Sequence, residues 1–241
     1  PTIASTCRAN QSAGFSITTY TGNGSANQTI GHNLGAAPAF VVIKDLTSAQ
    51  NWAVMHTSAP VVGTLDGGTE YQMLELSSTG AAGNYSYDTI WHPTNTTVKI
   101  AEGANSAHWV NKSGDNYVMY AWAPIEGYSA FGSYTGNASS DGPFVYTGMR
   151  PRWILIKHSS GSGNNWIIYD TARNTSNVAG LQLYPNLSAA EADATQASHA
   201  RLDILSNGFK LRGTHSSFNG SNATMIYAAF AENPFKTARA R

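Results

Sequence analysis

The chain repeats itself, and the repeat constrains its fold more than any other feature. Residues 20–56 read YTGNGSANQTIGHNLGAAPAFVVIKDLTSAQNWAVMH, and residues 134–170 return as YTGNASSDGPFVYTGMRPRWILIKHSSGSGNNWIIYD. The shared frame is Tyr-Thr-Gly-Asn, then a proline (Pro38, Pro151), an apolar run ending in Ile-Lys (Ile43-Lys44, Ile156-Lys157), and Asn-Trp (Asn51-Trp52, Asn165-Trp166). Further on, TVKI around Val98 matches GFKL around Phe209, and YVMYAWA from Tyr117 matches MIYAAFA from Met225. Gly-aromatic-Ser introduces each frame, at Gly14-Phe15-Ser16 and Gly127-Tyr128-Ser129. Landmarks recurring in order at a nearly constant offset mark a duplication. It divides the chain into a leader, residues 1–13, and units 14–126 and 127–241, with the seam at Glu126-Gly127. A period of about 110 residues is domain-sized rather than solenoid-sized, so each copy can own a core. The seam is too short for a flexible linker, and the two units are expected to pack on each other.

Within each unit the apolar runs are short, β-branched or aromatic, and fenced by turn residues, which predicts strands. The first unit reads as strands at residues 15–20, 39–44, 52–56, 71–76, 97–101 and 116–123, the second at 131–134, 153–157, 166–169, 181–184, 209–212 and 224–231. Residues 71–76 alternate, with Tyr71, Met73 and Glu75 on one face, as a half-buried strand does. Phe40-Val41-Val42-Ile43 and Trp153-Ile154-Leu155-Ile156 do not alternate, and fit central strands covered on both faces. Ser188 and Glu191 have capping-box spacing ahead of an alanine-rich stretch, which reads either as a short surface helix to Ala197 or as an irregular loop. The expectation is an all-β chain of two tandem, related β-sandwich units of jelly-roll or lectin-like type.

Composition narrows the function. Of 241 residues only 12% are charged, with 14 basic and 14 acidic side chains in balance, against roughly a quarter charged in an ordinary soluble domain. Ser, Thr, Asn and 23 Gly take their place. Such a neutral exterior argues against a cytosolic housekeeping enzyme, and 11% aromatic content argues against disorder. Nucleic acid is not an expected partner, because there is no Lys/Arg cluster to release counterions. No apolar run approaches a membrane span, so no membrane insertion is expected. Cys7 is the single cysteine, which excludes an intrachain disulfide and a thiolate metal site. A chain opening on Pro1 reads as a fragment or a processed product.

No catalytic constellation emerges. Glycoside hydrolysis would need two carboxyls facing each other across a cleft. The acids are scattered, and Glu75, the one on an alternating strand, reads chiefly as a solvated or hydrogen-bonded residue without an acidic counterpart at Gln182 or Leu183. No Gly-x-Ser-x-Gly elbow is present. The histidines (His32, His56, His92, His108, His158, His199, His215) lack metal-ligand spacing, although a pair meeting in space stays open. Asp66-Gly67-Gly68 and Asp141-Gly142 read as turns rather than calcium loops. Lys44 and Lys157, at equivalent strand ends, read as edge or solvent-reaching residues. The chain is therefore expected to be no enzyme and to carry no metal or cofactor. Binding is the better expectation. His108-Trp109 in one loop, and His215 with Phe218 in the matching loop, offer an aromatic beside a hydrogen-bonding group, which suits stacking on a sugar. The alternative is that Trp109 and Phe218 tuck under their loops as a minor core. Tyr85, Tyr87 and Trp91 form a second aromatic-rich candidate with the same alternative.

The repeated frame, together with SNGFKLRGT at residues 206–214 and IYAAFAENPFK at 226–236, resembles a domain of tailed bacteriophages, marine ones among them. That domain commonly stands at the C-terminal end of tail-fibre or other virion proteins, often beside concanavalin-like lectin modules, and the likeness runs from Tyr20 to Arg241. The resemblance implies a virion structural protein at the host-facing surface, a homotrimer attached to other virion or tail proteins, and a host cell-surface polysaccharide as partner. It supplies no binding residues. The expected function is a tail-fibre or receptor-binding module recognising host surface glycans. Two alternatives remain: a capsid or tail decoration protein with a structural or adhesive role, and a polysaccharide depolymerase.

Overall fold

A computed structural model describes residues 1–65, 68–83, 90–91, 93–100, 109–193 and 200–232. The chain divides into two compact units, one of Pro1–Ser77 with Ala82–Pro124, the other of Ser78–Ala81 with Ile125–Arg241. The structure is nearly all β.

The first unit contains β1 (Ser5–Asn10), β2 (Phe15–Thr21), β3 (Gln28–Gly31), β4 (Phe40–Asp45), β5 (Ala53–His56), β6 (Val61–Leu65), β7 (Gly68–Tyr71), β8 (Leu74–Glu75), β9 (Ile90–Trp91), β10 (Thr97–Ile100) and β11 (Asn116–Trp122). They form a six-stranded sheet ordered β1-β2-β11-β4-β5-β8, a three-stranded sheet β3-β10-β9, and the hairpin β6-β7. The second unit contains β12 (Ser129–Thr135), β13 (Phe144–Tyr146), β14 (Pro151–His158), β15 (Ile167–Asp170), β16 (Leu181–Gln182), β17 (Ala192–Asp193), β18 (Leu202–Leu205), β19 (Gly208–Leu211) and β20 (Thr224–Ala231). Its sheets are β12-β20-β14-β15, β13-β19-β18 and β16-β17. The order β2-β11-β4-β5 thus returns as β12-β20-β14-β15, and β3-β10-β9 as β13-β19-β18. In both units chain-distant strands become neighbours, which independent folds would not reproduce by accident.

Each unit buries one face of its larger sheet against one face of its smaller sheet. In the first core, Val41, Ile43, Met55 and Met119 meet Ile30, Val98 and Ile100. In the second, Ile154, Ile156, Ile167 and Met225 meet Val145, Ile204, Phe209 and Leu211. Strand β4 is central in its sheet, and Phe40 and Val42 on its other face are buried too, as a run without alternation predicts.

Three local expectations differ from the structure. The leader is not separate from the first unit: Ser5–Asn10 pairs antiparallel along the whole of β2 except Thr21, and Ile3 lies in the first core. Both faces of β1 are largely exposed, so its sequence carries no hydrophobic alternation to announce it. Residues 71–76 are not one strand. β7 pairs with β6, β8 pairs with β5, and Met73 bridges Gly83 between them, so the chain changes sheets within the segment. Of the two readings open for the stretch from Ser188, the helical one fails over residues 188–191, which are irregular, with Glu191 accepting from Arg173 Nη1 at 2.9 Å; Ala192–Asp193 pairs with β16, and residues 194–197 lie outside the described residues.

The Tyr-Thr-Gly-Asn repeat is a duplicated clasp. Tyr20 Oη donates to the Val110 carbonyl at 2.6 Å, and Tyr134 Oη to the Phe218 carbonyl at 2.7 Å. The next residue in each loop is a fully buried asparagine, Asn111 or Asn219. Its side-chain oxygen accepts from the backbone N–H of Asn23 (3.0 Å) or Asn137 (2.9 Å). Its amide group donates to the carbonyl of Ser25 or Ser139, 2.8 Å in both copies. The intervening glycine permits this approach: a Cβ on Gly22 would collide with the Lys112 carbonyl, and one on Gly136 with the Gly220 carbonyl. Buried polar groups that lose a partner are costly. Asn111→Ala and Asn219→Ala are each expected to destabilise the protein by about 2–4 kcal/mol in urea denaturation, against about 1 kcal/mol or less for the exposed Asn137→Ala.

Two histidines make the fold sensitive to acid. His32 is buried; its Nε2 donates to the Thr94 carbonyl at 3.0 Å, while Nδ1 accepts from the Leu34 N–H at 3.2 Å and so cannot carry a proton. Burial lowers its pKa, the Thr94 carbonyl opposing in part. Burial, and then the neighbouring Lys157 charge, lowers that of His158. A histidine depressed on folding binds its proton more readily in the unfolded chain, so stability is full above about pH 6.5 and falls as the pH drops through the folded values. The melting temperature is expected to fall between pH 6.5 and 5, and His32→Gln to flatten that slope. A wild-type Tm that stays level over this range would contradict it.

Candidate functional site

The loop residues singled out as sugar-stacking candidates take different positions. Trp109 is half-buried and packs against the first core. Phe218 is fully buried in the second core, with no ring face for a ligand. Its counterpart is Val110 rather than Trp109, since these two residues supply the carbonyls of the tyrosine clasps. His215 is exposed at the start of the single helical turn Ser216–Asn219, and its Nδ1 accepts from the Ser217 N–H at 3.2 Å. Within the second unit, His215 at the surface and Phe218 in the core do not form one site. His108, Tyr85 and Tyr87, with His92 and His199, lie outside the described residues; Trp91 contributes its backbone to β9, and its side chain is not described.

The residues with catalytic potential have structural partners. Glu75 accepts from Asn51 Nδ2 at 2.9 Å. Lys44 Nζ donates to the Gln50 carbonyl at 2.7 Å and Lys157 Nζ to the Asn164 carbonyl at 2.6 Å, so the repeated Ile-Lys ties each strand end to its following loop. Burial pushes the Lys157 amine down to about 8. Asp45 and Asp115, both buried, are held by turn chemistry: Asp45 Oδ1 accepts the N–H groups of Thr47 and Ser48, and Asp115 Oδ2 accepts Ser48 Oγ and Lys112 Nζ. The hydroxyl of Ser48, ahead of the Lys112 ammonium, holds the Asp115 carboxyl below its ordinary range. Among the described residues, no group of three or more His, Cys, Asp or Glu could hold a metal ion. A recess of about 440 Å³ in the first unit is lined by Ser5, Thr6, Thr19, Thr21, Asn116 and Leu46 among others, and its lining contains no carboxylate, imidazole or amine.

A more specific surface lies on the small sheet of the second unit. Along β13, Val145 points into the core while Phe144 and Tyr146 point out, 45% and 67% exposed. Residues two apart on a strand stand about 7 Å from each other on one face, a spacing suited to contact with successive sugar rings. Directly paired residues of adjacent strands project to the same side. Phe144 pairs with Lys210, which pairs with Asp203, and Tyr146 pairs with Gly208, which pairs with Leu205. Gly208 is required here: a Cβ would collide with the Val145 carbonyl and stand 3.2 Å from Phe144 Cε2, so the Phe144 ring can lean across the hairpin.

Charged groups beside the rings are matched to one another. Lys210 Nζ lies 2.9 Å from Asp141 Oδ1 and donates to the Gly142 carbonyl at 2.8 Å. Arg212 Nε lies 2.6 Å from Asp203 Oδ2, and its Nη1 3.8 Å from Asp141 Oδ1. The hydrogen bond from Lys210, and then its charge, holds the Asp141 carboxyl below the ordinary range. In the first unit the register places Thr29 and Gly31 where Phe144 and Tyr146 stand. There the N-terminal arm covers the edge: the Thr2 and Ile3 N–H groups donate to the Thr29 carbonyl at 3.0 and 3.1 Å, and the Pro1 ring lies 3.6 Å from the Cβ position of Gly31. The exposed pair Phe144 and Tyr146 therefore has no aromatic counterpart on β3. Sequence reasoning passed over it because a three-residue strand is too short to show a period, although aromatic-aliphatic-aromatic before a glycine turn was its one visible signal.

No curated protein and no solved structure matches the chain. A family model, described as Domain of unknown function (DUF7483), matches residues 1–234. With nearly its whole length matched, the chain belongs to the DUF7483 family.

Proposed function

We propose that this chain is a host-facing module of a bacteriophage virion, a tail-fibre or receptor-binding domain of two tandem lectin-like β-sandwich units that binds host surface glycans. The observation that carries the glycan reading is the pair Phe144 and Tyr146, two rings held out from one face of a rigid strand and flanked by hydrogen-bonding side chains. Aromatic faces bury the apolar C–H surface of a pyranose at little entropic cost, and polar neighbours orient its hydroxyls. The virion assignment rests on the resemblance of the repeated frame and of the C-terminal run to tailed-phage domains. The neutral, hydroxyl-rich composition supports it, being that of a surface built to touch rather than to transform. A homotrimer joined to other tail proteins would present several such surfaces at once and raise a weak single-site affinity.

Phe144→Ala and Tyr146→Ala are each expected to weaken binding to isolated host polysaccharide about three- to tenfold, with unchanged thermal stability. Isothermal titration and host-cell adsorption provide the readouts. Wild-type binding retained in both variants would remove the β13 surface as the glycan site.

A further inference from the structure

We infer that Asp141 is a specificity-determining residue that restricts the β13 surface to uncharged glycans, an inference that rests on the glycan reading of that surface. The argument begins with charge. The register sets Lys210 beside Phe144, with Arg212 two residues further along the chain and near Asp141, and an anionic sugar, a uronate or a sulfated residue, would be drawn to them. Both are already committed. Asp141 Oδ1 takes Lys210 at 2.9 Å and stands 3.8 Å from Arg212, while Asp203 takes Arg212 Nε at 2.6 Å. Each of these two cations is thus matched by a carboxylate before any anion arrives. The two acids differ in exposure. The Asp203 side chain is 13% exposed and serves the sheet, whereas that of Asp141 is 82% exposed and presents its second oxygen to any approaching ligand. An incoming carboxylate or sulfate would meet that oxygen first, and like charges at such a distance disfavour the complex. A neutral pyranose meets no such cost and can use the same oxygen as a hydroxyl acceptor.

Asp141 is held for this role. Its N–H donates to Ser139 Oγ at 3.1 Å, its carbonyl accepts from Asn137 Nδ2 at 3.3 Å, and Ser139 is itself fixed by the buried Asn219 amide at 2.8 Å. The carboxylate is thus placed by the clasp rather than by chance rotation of an exposed loop.

The test compares wild type, Asp141→Asn and Phe144→Ala on matched panels of neutral and uronate- or sulfate-bearing oligosaccharides, at low and at high salt. The wild type is expected to bind the neutral panel with affinity indifferent to salt. Asp141→Asn keeps the shape and releases Lys210 from its carboxylate, while Arg212 stays on Asp203; it is expected to gain at least tenfold for the acidic panel at low salt, a gain lost at high salt. Wild-type preference for acidic oligosaccharides, or no gain in Asp141→Asn, would overturn this inference while leaving the glycan reading standing. Absence of wild-type binding to either panel would overturn both. Sulfate alone supplies a readout independent of sugar: it is expected to raise the melting temperature of Asp141→Asn more than that of the wild type, and equal shifts would count against the proposed gate.

Discussion

Two buried carboxamides, Asn111 and Asn219, hold the structure to its shape. An amide removed from water must find partners for its oxygen and for its two N–H groups, and here the oxygen and one N–H meet main-chain groups of the turn, while the other N–H meets Asn23 Oδ1 in the first copy and the Gly213 carbonyl in the second. That requirement fixes the turn's path, excludes a side chain at Gly22 and Gly136, and brings each loop within reach of the preceding tyrosine hydroxyl. It also explains which parts of the duplication have kept their identity. Core positions have exchanged freely, Val98 for Phe209, Val110 for Phe218 and Met119 for Tyr227, because apolar volume can be redistributed among neighbours. Hydrogen-bond geometry cannot be redistributed. The polar tetrapeptide is therefore the same in both copies while the oily residues around it differ.

The parts of the fold legible in the sequence are those whose residues face one environment along their length. Central strands β4, β14, β11 and β20 announce themselves as apolar runs, and the repeat makes each reading a reading of both copies. Strand β1 was illegible because it is held by main-chain bonds to β2 and leaves its side chains in water. The break between Tyr71 and Leu74 was hidden by an alternation that is real in the sequence but spans two different sheets. For the site, pattern reasoning misled in both directions. Phe218 sits in a glycine- and serine-rich loop that suggests exposure, yet it fills the core; Phe144 and Tyr146 are large and aromatic, which suggests a core, yet they face outward. Residue type reports what a side chain would gain from burial, not whether the topology offers it a place.

Comparison of the copies shows where they diverge. The smaller sheets share strand order and register, so the scaffold places no difference between β3 and β13. What differs is the covering. In the first copy, Pro1–Ile3 occupies the edge and the strand beneath carries Thr29 and Gly31. In the second, that edge carries two exposed rings and a line of matched charges. A closed edge protects a sheet from unwanted pairing, and aromatic residues on an open one carry a cost in solubility unless they serve contact.

The clasp and the surface are mechanically continuous. Asn219 fixes Ser139, Ser139 and Asn137 fix Asp141, and Asp141 fixes Lys210 beside Phe144. A chain of short hydrogen bonds through a turn has few soft degrees of freedom, so the charge at the rim of the aromatic surface inherits its precision from an amide buried in the unit. On the proposed glycan reading, stability and selectivity are then not separate properties of this copy. Loosening the buried amide would unfasten the turn that carries the carboxylate, whereas β13 keeps Val145 in the core. The feature that made the duplication visible, a polar tetrapeptide, is in this way also the support on which the second copy's distinct surface was built.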